Sequence, residues 1–257
     1  MTVYEDARSD PVRSASNPSP VLSRYSTHTS FASLRYQPSW GELRIIRHVL
    51  RRAPKGPEVL DVIDKARGRR RTRRAVDELL SSSQEIWLEI GSGRKFGADG
   101  WTTLDIGLEC DLYWDLRHGI PFPNGTVSRI YSSHLFEHLT YSEGQALMAE
   151  CLRVLRPGGE FSICVPNARL YLDAYARKER LREPFLGWTP AVQGQTLIDM
   201  VNYVAYMDGH HKYMFDEESL VARLQEAGFT DTRLREFDAS VDSEGRDFES
   251  IYAIARA

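Results

Sequence analysis

The 257-residue chain is long enough to bury a sizeable core, and its composition, 42% hydrophobic and 27% charged, is that of a globular protein. A formal net charge of −3 gives no overall electrostatic case for nucleic acid or an anionic membrane surface. Three cysteines, Cys110, Cys151 and Cys164, form no Cys-x-x-Cys pair and no disulfide framework, which fits a reducing compartment. The opening "MTVYEDARSD" has no apolar leader, and no run approaches the ~18 to 20 apolar residues of a spanning helix, so a cytoplasmic location without a membrane partner is expected.

Residues 1–38 are rich in Ser, Pro, Arg and Thr without sustained apolar periodicity, and read as a mobile arm dispensable for folding. Residues 39–83 turn helical. Leu43, Ile46, Val49 and Leu50 recur at spacings of three and four, "APKGPE" reads as a break, and Val59, Leu60 and Ile63 resume the pattern. Two or three short helices are expected there. The cationic run "RGRRRTRR" at residues 67–74 suits phosphates of RNA or of a nucleotide-bearing substrate, or else a solvated helix face balanced by Asp61, Asp64, Asp77 and Glu78. The solvated face is the better reading, because no aromatics interleave the arginines.

From residue 84 to 257, short β-rich runs alternate with helical ones. "EIWLEI", "WTTLDI", "DLYWDL", "VSRIYSS" and "EFSICVP" read as strands, and "SEGQALMAECLRVLR" as a helix. That alternation implies an α/β fold whose sheet is mostly parallel, with helices on its faces. After the helix "DEESLVARLQEAG", the runs "TDTRLREFD" and "ESIYAIARA" follow without an intervening helix and predict an antiparallel hairpin.

The turn "EIGSGRKFGADGWTTLDIG" follows the first strand. Its glycines allow close approach of backbone to a ligand at the carboxyl end of a parallel strand. Asp105 ends the next strand and can accept ribose hydroxyls, but it lies only twelve residues beyond Gly93, not the roughly twenty of a dinucleotide site. Glu89, just before the glycines, would repel a phosphate and attract a sulfonium or ammonium group. A cationic nucleoside therefore fits; the bland alternative is an ordinary tight turn.

With "LEIGSG", "LDI", "DLRHGIPFPNGTVSRIYSSHLFEHL", "ECLRVLRPGGEFSICVPN" and "HKYMFDEESLVARLQEAGF" in this order, the chain from about Trp87 to its end resembles class I S-adenosylmethionine-dependent methyltransferases. It is similar in particular to the type 11 group and its relatives near bacterial polysaccharide genes. The resemblance implies a Rossmann-like methyltransferase fold: a mostly parallel seven-stranded sheet, a C-terminal antiparallel hairpin, N-terminal helices and a helical lid over residues 168–212. It implies S-adenosylmethionine as cofactor, with Glu89, Gly91 and Gly93 around its methionine and ribose portions and Asp105 on the ribose. Asp115 and Leu116 would lie beside the adenine, while Ser132, Ser133 and His134 would face the methyl group. Asp115 has an alternative as the cap of the following turn. The sequence departs from the pattern in allowing only seven residues between Gly93 and Trp101 and four between Ile106 and Asp111, short of the dozen or more of a helical crossover. The first helices are expected to be abbreviated, leaving the N-terminal helices to cover that face.

A hydroxyl acceptor must lose a proton, and histidine is the natural base. His134, Glu137 and His138 fall at i, i+3 and i+4, on one face if this segment is helical, and His210 and His211 sit in the insertion. Three readings stay open: His134, His210 or His211 as base; a divalent metal, not required, held by His134, Glu137 and His138; or packing alone. Glu137, His138 and the insertion aromatics, with Tyr171, Tyr175 and Tyr206 foremost among Phe185, Trp188, Tyr203, Tyr213 and Phe215, are set against the acceptor. The resulting expectation is an O-methyltransferase acting on a small acceptor, a saccharide by analogy with polysaccharide-associated relatives. An RNA or tRNA methyltransferase and a non-catalytic cofactor-binding module are the alternatives, and a homodimer is left open.

Overall fold

The computed structural model describes residues 48, 51, 53–181 and 196–257. The chain divides into two units, Met1–Ile45 and Ile46–Ala257. The arm expected at residues 1–38 and the helix expected around Leu43, Ile46, Val49 and Leu50 lie outside the described residues, as do Phe185 and Trp188 of the insertion.

Seven strands form one sheet: β1 (Trp87–Ile90), β2 (Trp101–Asp105), β3 (Leu112–Tyr113), β4 (Val127–Ser133), β5 (Leu155–Pro166), β6 (Thr230–Arg235) and β7 (Ser250–Arg256). Their order is β3-β2-β1-β4-β5-β7-β6. The first five pair in parallel; β7 runs antiparallel to both β5 and β6, so the closing hairpin forms as the sequence predicts. This is the Rossmann-like methyltransferase fold. The chain order reverses between β1 and β4, and there the carboxyl ends of the strands open a crevice.

Alternation along the strands decides the two faces. Leu88, Ile90, Leu104, Ile130, Phe161, Ile163, Ala253 and Ala255 are buried on one side. Against them pack α2 (Tyr141–Val154) through Leu147, Met148 and Cys151, and α5 (Glu217–Glu226) through Leu220 and Leu224. Both helices start at reciprocal caps, Thr140 with Glu143 and Asp216 with Ser219, which satisfy first-turn N–H groups.

On the opposite face Trp87, Trp101 and Tyr131 form a ring ladder with the Arg129 guanidinium over Trp87. No helix joins β1 to β2 or β2 to β3, as the short spacings predict. The Asp111 carboxylate replaces them as an organiser, accepting from the N–H of Gly97 at 2.8 Å and from the N–H and hydroxyl of Thr103 at 2.9 Å. Gly97 is obligatory: a Cβ there would sit 1.9 Å from the Trp101 carbonyl oxygen.

The segment before β1 corrects one expectation. "APKGPE" breaks the chain between the helical residues 48 and 51 and α1 (Gly56–Ser81), as expected, but α1 is continuous over 26 residues where short helices were expected, with Lys55 at its N-cap and a proline in its first turn, where a missing N–H costs nothing. Gly68 lies against the Tyr113 ring, the Thr72 hydroxyl donates to the Tyr113 carbonyl at 2.9 Å, and Arg71 donates to the Cys110 carbonyl at 2.8 Å. α1 thus docks on β3. Arg67, Arg69, Arg70, Arg73 and Arg74 remain exposed. The insertion contributes α3 (Ala168–Ala176) and α4 (Leu197–Tyr206), joined by a small separate core of Tyr171, Met200, Tyr203 and Val204. Among the described residues, no helix is long and apolar enough to cross a membrane.

Candidate active site

At the crevice, β1 ends in Gly91 and Gly93, both with positive φ (70° and 68°). A Cβ on Gly91 would come within 2.7 Å of the Leu135 side chain, whereas one on Gly93 would meet nothing within 4 Å and point into open space. The Gly93 N–H donates to Asp105 Oδ2 at 3.0 Å, and Asp105 Oδ1 accepts from the Gly107 N–H at 2.7 Å. The acid at the end of β2 therefore holds the glycine turn open. Ser92 and Ser132, at the ends of β1 and β4, bury their Oγ atoms without a hydrogen-bond partner. A bare glycine cradle, an acid beside it and two unsatisfied hydroxyls fit a nucleoside bearing a polar amino-acid tail.

Two sequence-predicted contacts come out differently. Glu89 is nearly buried and already pairs with a cation of its own chain, the Lys95 ammonium at 2.6 Å, which folds residues 92–98 back onto the strand end. Asp115 takes its capping role: it accepts from the Arg117 N–H at 3.1 Å at the head of the short 3-10 turn Leu116–His118. The Arg117 guanidinium, also bonded to it, holds its carboxyl below the usual range. Leu116 lines an adjoining cavity of 460 Å³ with Leu135, Leu139 and Leu147.

Beyond β4 the chain turns sharply. His134 has a left-handed φ of 52°, a strained conformation for a non-glycine residue. The segment, whose spacing would put His134, Glu137 and His138 on one face were it a helix, is a single 3-10 turn, Phe136–His138. The turn still gathers the three side chains, with His134 Nδ1 3.5 Å and His138 Nε2 3.9 Å from Glu137 Oε1. His211 joins them, its ring 5.0 Å from that of His138. His210 is exposed and contributes only its carbonyl, which accepts from His138 Nδ1 at 3.0 Å.

These groups line a cavity of 260 Å³ with Pro166, Tyr203, Val204, Met207, Arg246 and Glu249. Burial governs its protonation. It pushes the Glu137 carboxyl up to about 8 and His134 down to about 3, and lowers His138 and His211 as well. The imidazoles are therefore neutral at pH 7. His134 Nε2 lies 2.9 Å from the Ser250 hydroxyl, so both its nitrogens face protein groups. Tyr171 belongs to the insertion core and bonds through its hydroxyl to Glu249, while Tyr175 and Tyr206 stand exposed on the surface and do not line the cavity. Arg246 and Glu249 escape sequence reasoning: they come from the charged "EGRDFES" turn before β7, more than 100 residues from His134.

The family model described as "Methyltransferase domain" matches residues 45–234, most of the chain. The chain belongs to the methyltransferase domain family. A probable S-adenosylmethionine-dependent methyltransferase of Mycolicibacterium smegmatis is 35% identical over 98 residues, 31% of this chain and 37% of that protein. The match thus spans little more than a third of that curated relative. Solved S-adenosylmethionine-dependent methyltransferases of Archaeoglobus fulgidus and Mesorhizobium loti are 16% and 17% identical; they cover 75% and 72% of this chain and 94% and 96% of their own, each with a TM-score of 0.43.

For this methyltransferase-domain chain the cofactor is S-adenosylmethionine, and the residues at the crevice fit it. The open turn at Gly93 and the Asp105 carboxylate beside it are the groups that would hold it.

Proposed function

We propose that the chain transfers the methyl group of S-adenosylmethionine to a hydroxyl of a small saccharide held in the 260 Å³ cavity beside β4. The observation that carries this reading is the cavity's lining. Two carboxyl groups, Glu137 and Glu249, one guanidinium, Arg246, and the imidazoles of His138 and His211 surround a space that Tyr203 also lines. Carboxyl groups exchange hydrogen bonds with hydroxyls, the guanidinium donates to ring and hydroxyl oxygens, and an aromatic ring suits the apolar side of a sugar. The volume is close to the lower end of the ~300 to 1,000 Å³ typical of small-ligand pockets, which favours a single ring over a polymer segment.

The cofactor supplies an electrophilic methyl group. The chain supplies position: the Gly91–Gly93 turn and Asp105 fix the donor end, and the cavity aims one acceptor oxygen toward the end of β4. Proton removal falls to the cluster around Glu137. Within it His211 donates from Nδ1 to the Val204 carbonyl at 2.8 Å, which leaves the lone pair on its Nε2, whereas His134 is engaged at both nitrogens. His211 is accordingly the better-placed imidazole base, and His134 positions Glu137.

The reading is tested by labelled-methyl transfer to a panel of monosaccharides, glycosides, small phenols and RNA. Transfer to a saccharide supports it; transfer to phenols or RNA alone overturns it. RNA is the second reading because five arginines of α1 stand exposed on one segment. Binding by that route would weaken steeply with salt, whereas saccharide turnover would not.

A further inference from the structure

We propose that Glu137, His138 and His211 bind one divalent first-row transition ion, zinc or a chemical equivalent, and that this ion holds the acceptor hydroxyl. Donor atoms of the three side chains already lie within 4.8 Å of one another. Two neutral imidazoles and a carboxylate are a nitrogen and oxygen set suited to zinc, cobalt or manganese, and three protein ligands leave a position open for substrate.

The second coordination layer is built in. His138 Nδ1 donates to the His210 carbonyl at 3.0 Å and His211 Nδ1 donates to the Val204 carbonyl at 2.8 Å. Each bond fixes the tautomer with its proton on Nδ1 and leaves the Nε2 lone pair for a metal, the usual support of a ligating histidine. Glu137 is 2% exposed, and its Oε2 is buried with no hydrogen-bond partner. An unpartnered carboxylate oxygen inside a polar cavity is costly unless a ligand meets it.

A tetrahedral ion with ligand bonds of about 2.1 Å sets its donors about 3.4 Å apart. Closure of up to about 1.4 Å from the present separations is therefore needed, within reach of side-chain rotation. His134, tied to Ser250, is outside this set. The histidine from the insertion takes its place, so the ion would pin α4 and its following turn to the end of β4. The hydroxyl-holding role rests on the saccharide reading; ion binding does not, and with the ion bound His211 Nε2 is a ligand, so its role as base belongs to the ion-free site and the ion itself would acidify the hydroxyl.

The test uses the full chain stripped with a chelator and titrated with Zn²⁺ or Co²⁺, with no donor or acceptor present. Elemental analysis after dialysis should find one ion per chain, and cobalt should give the visible absorption of a nitrogen- and oxygen-ligated site of low coordination number. Glu137→Gln, His138→Ala and His211→Ala should each weaken binding by about 100-fold, because loss of supporting groups alone costs 10- to 100-fold. His118→Ala, an exposed histidine outside the cavity, should leave binding unchanged. Should Glu137→Gln fail to fold, as judged by melting, the two histidine variants carry the test. Binding that is absent, or that survives all folded cavity variants, overturns the site. Methyl transfer to a saccharide by ion-free protein would leave the function standing and remove the ion from it.

Discussion

Gly93 and Gly158 form a matched pair that separates backbone strain from ligand contact. Both have positive φ, 68° and 74°, and a Cβ on either would meet nothing within 4 Å. Alanine at either site should therefore cost the same in folding. The left-handed conformation costs ~1 to 2 kcal/mol for a residue with a Cβ, and ~0.4 to 1 kcal/mol returns through the stiffer unfolded chain. The net is about 1 kcal/mol, or ~2 to 4 °C in Tm for a chain of this size. Only Gly93 borders the cofactor crevice, where its added methyl would occupy space the ligand needs. Gly93→Ala should weaken S-adenosylhomocysteine binding at least tenfold, about 1.4 kcal/mol, while Gly158→Ala should bind as the unaltered protein does. Calorimetric titration of both variants, with melting curves, checks the pair. Equal affinities in the two would refute the placement of the cofactor against the β1 turn.

Other expectations are independent of ligand. Asp242→Ala should destabilise by ~3 to 5 kcal/mol in urea unfolding, because it leaves the half-buried Arg235 guanidinium without its carboxylate and the buried Tyr131 hydroxyl without its acceptor. Thr72→Val should cost ~1 to 3 kcal/mol by stranding the Tyr113 carbonyl under α1, and leave cofactor affinity intact. Asp216 caps α5, and the Ser219 N–H holds its carboxyl below the usual range. Its contribution is therefore present above the unfolded value near 3.9 and lost as pH falls through the lower folded value. Asp216→Ala should remove about 1 kcal/mol at pH 7, with a smaller difference from the unaltered protein at pH 3.

The strands were legible because β-branched and aromatic runs alternate with polar residues, and the missing crossover helices were legible from spacing alone. The start of α1 was legible as a break with helical spacing after it, but its unbroken length of 26 residues was not, because the arginine run carries no apolar period. In the site, the strand-end positions of Gly91, Gly93 and Asp105 were legible, and the turn and the acid meet there. Glu89 does not stand free, since its partner Lys95 approaches only after a helix-free loop closes. The histidine cluster was half visible. Local spacing joins His134, Glu137 and His138, but the choice of His211 over His210 depends on how the insertion folds back, and Arg246 and Glu249 arrive through the final hairpin. No periodicity encodes contacts of that range.

The most direct measurement is product analysis after turnover with isotopically labelled S-adenosylmethionine and a saccharide panel, run beside His211→Ala. The account predicts a labelled methyl ether on one sugar oxygen, resolved by NMR, with the rate lowered by ~10²-fold or more in the variant. Label appearing only on RNA or a phenol, or full turnover in His211→Ala, would contradict it.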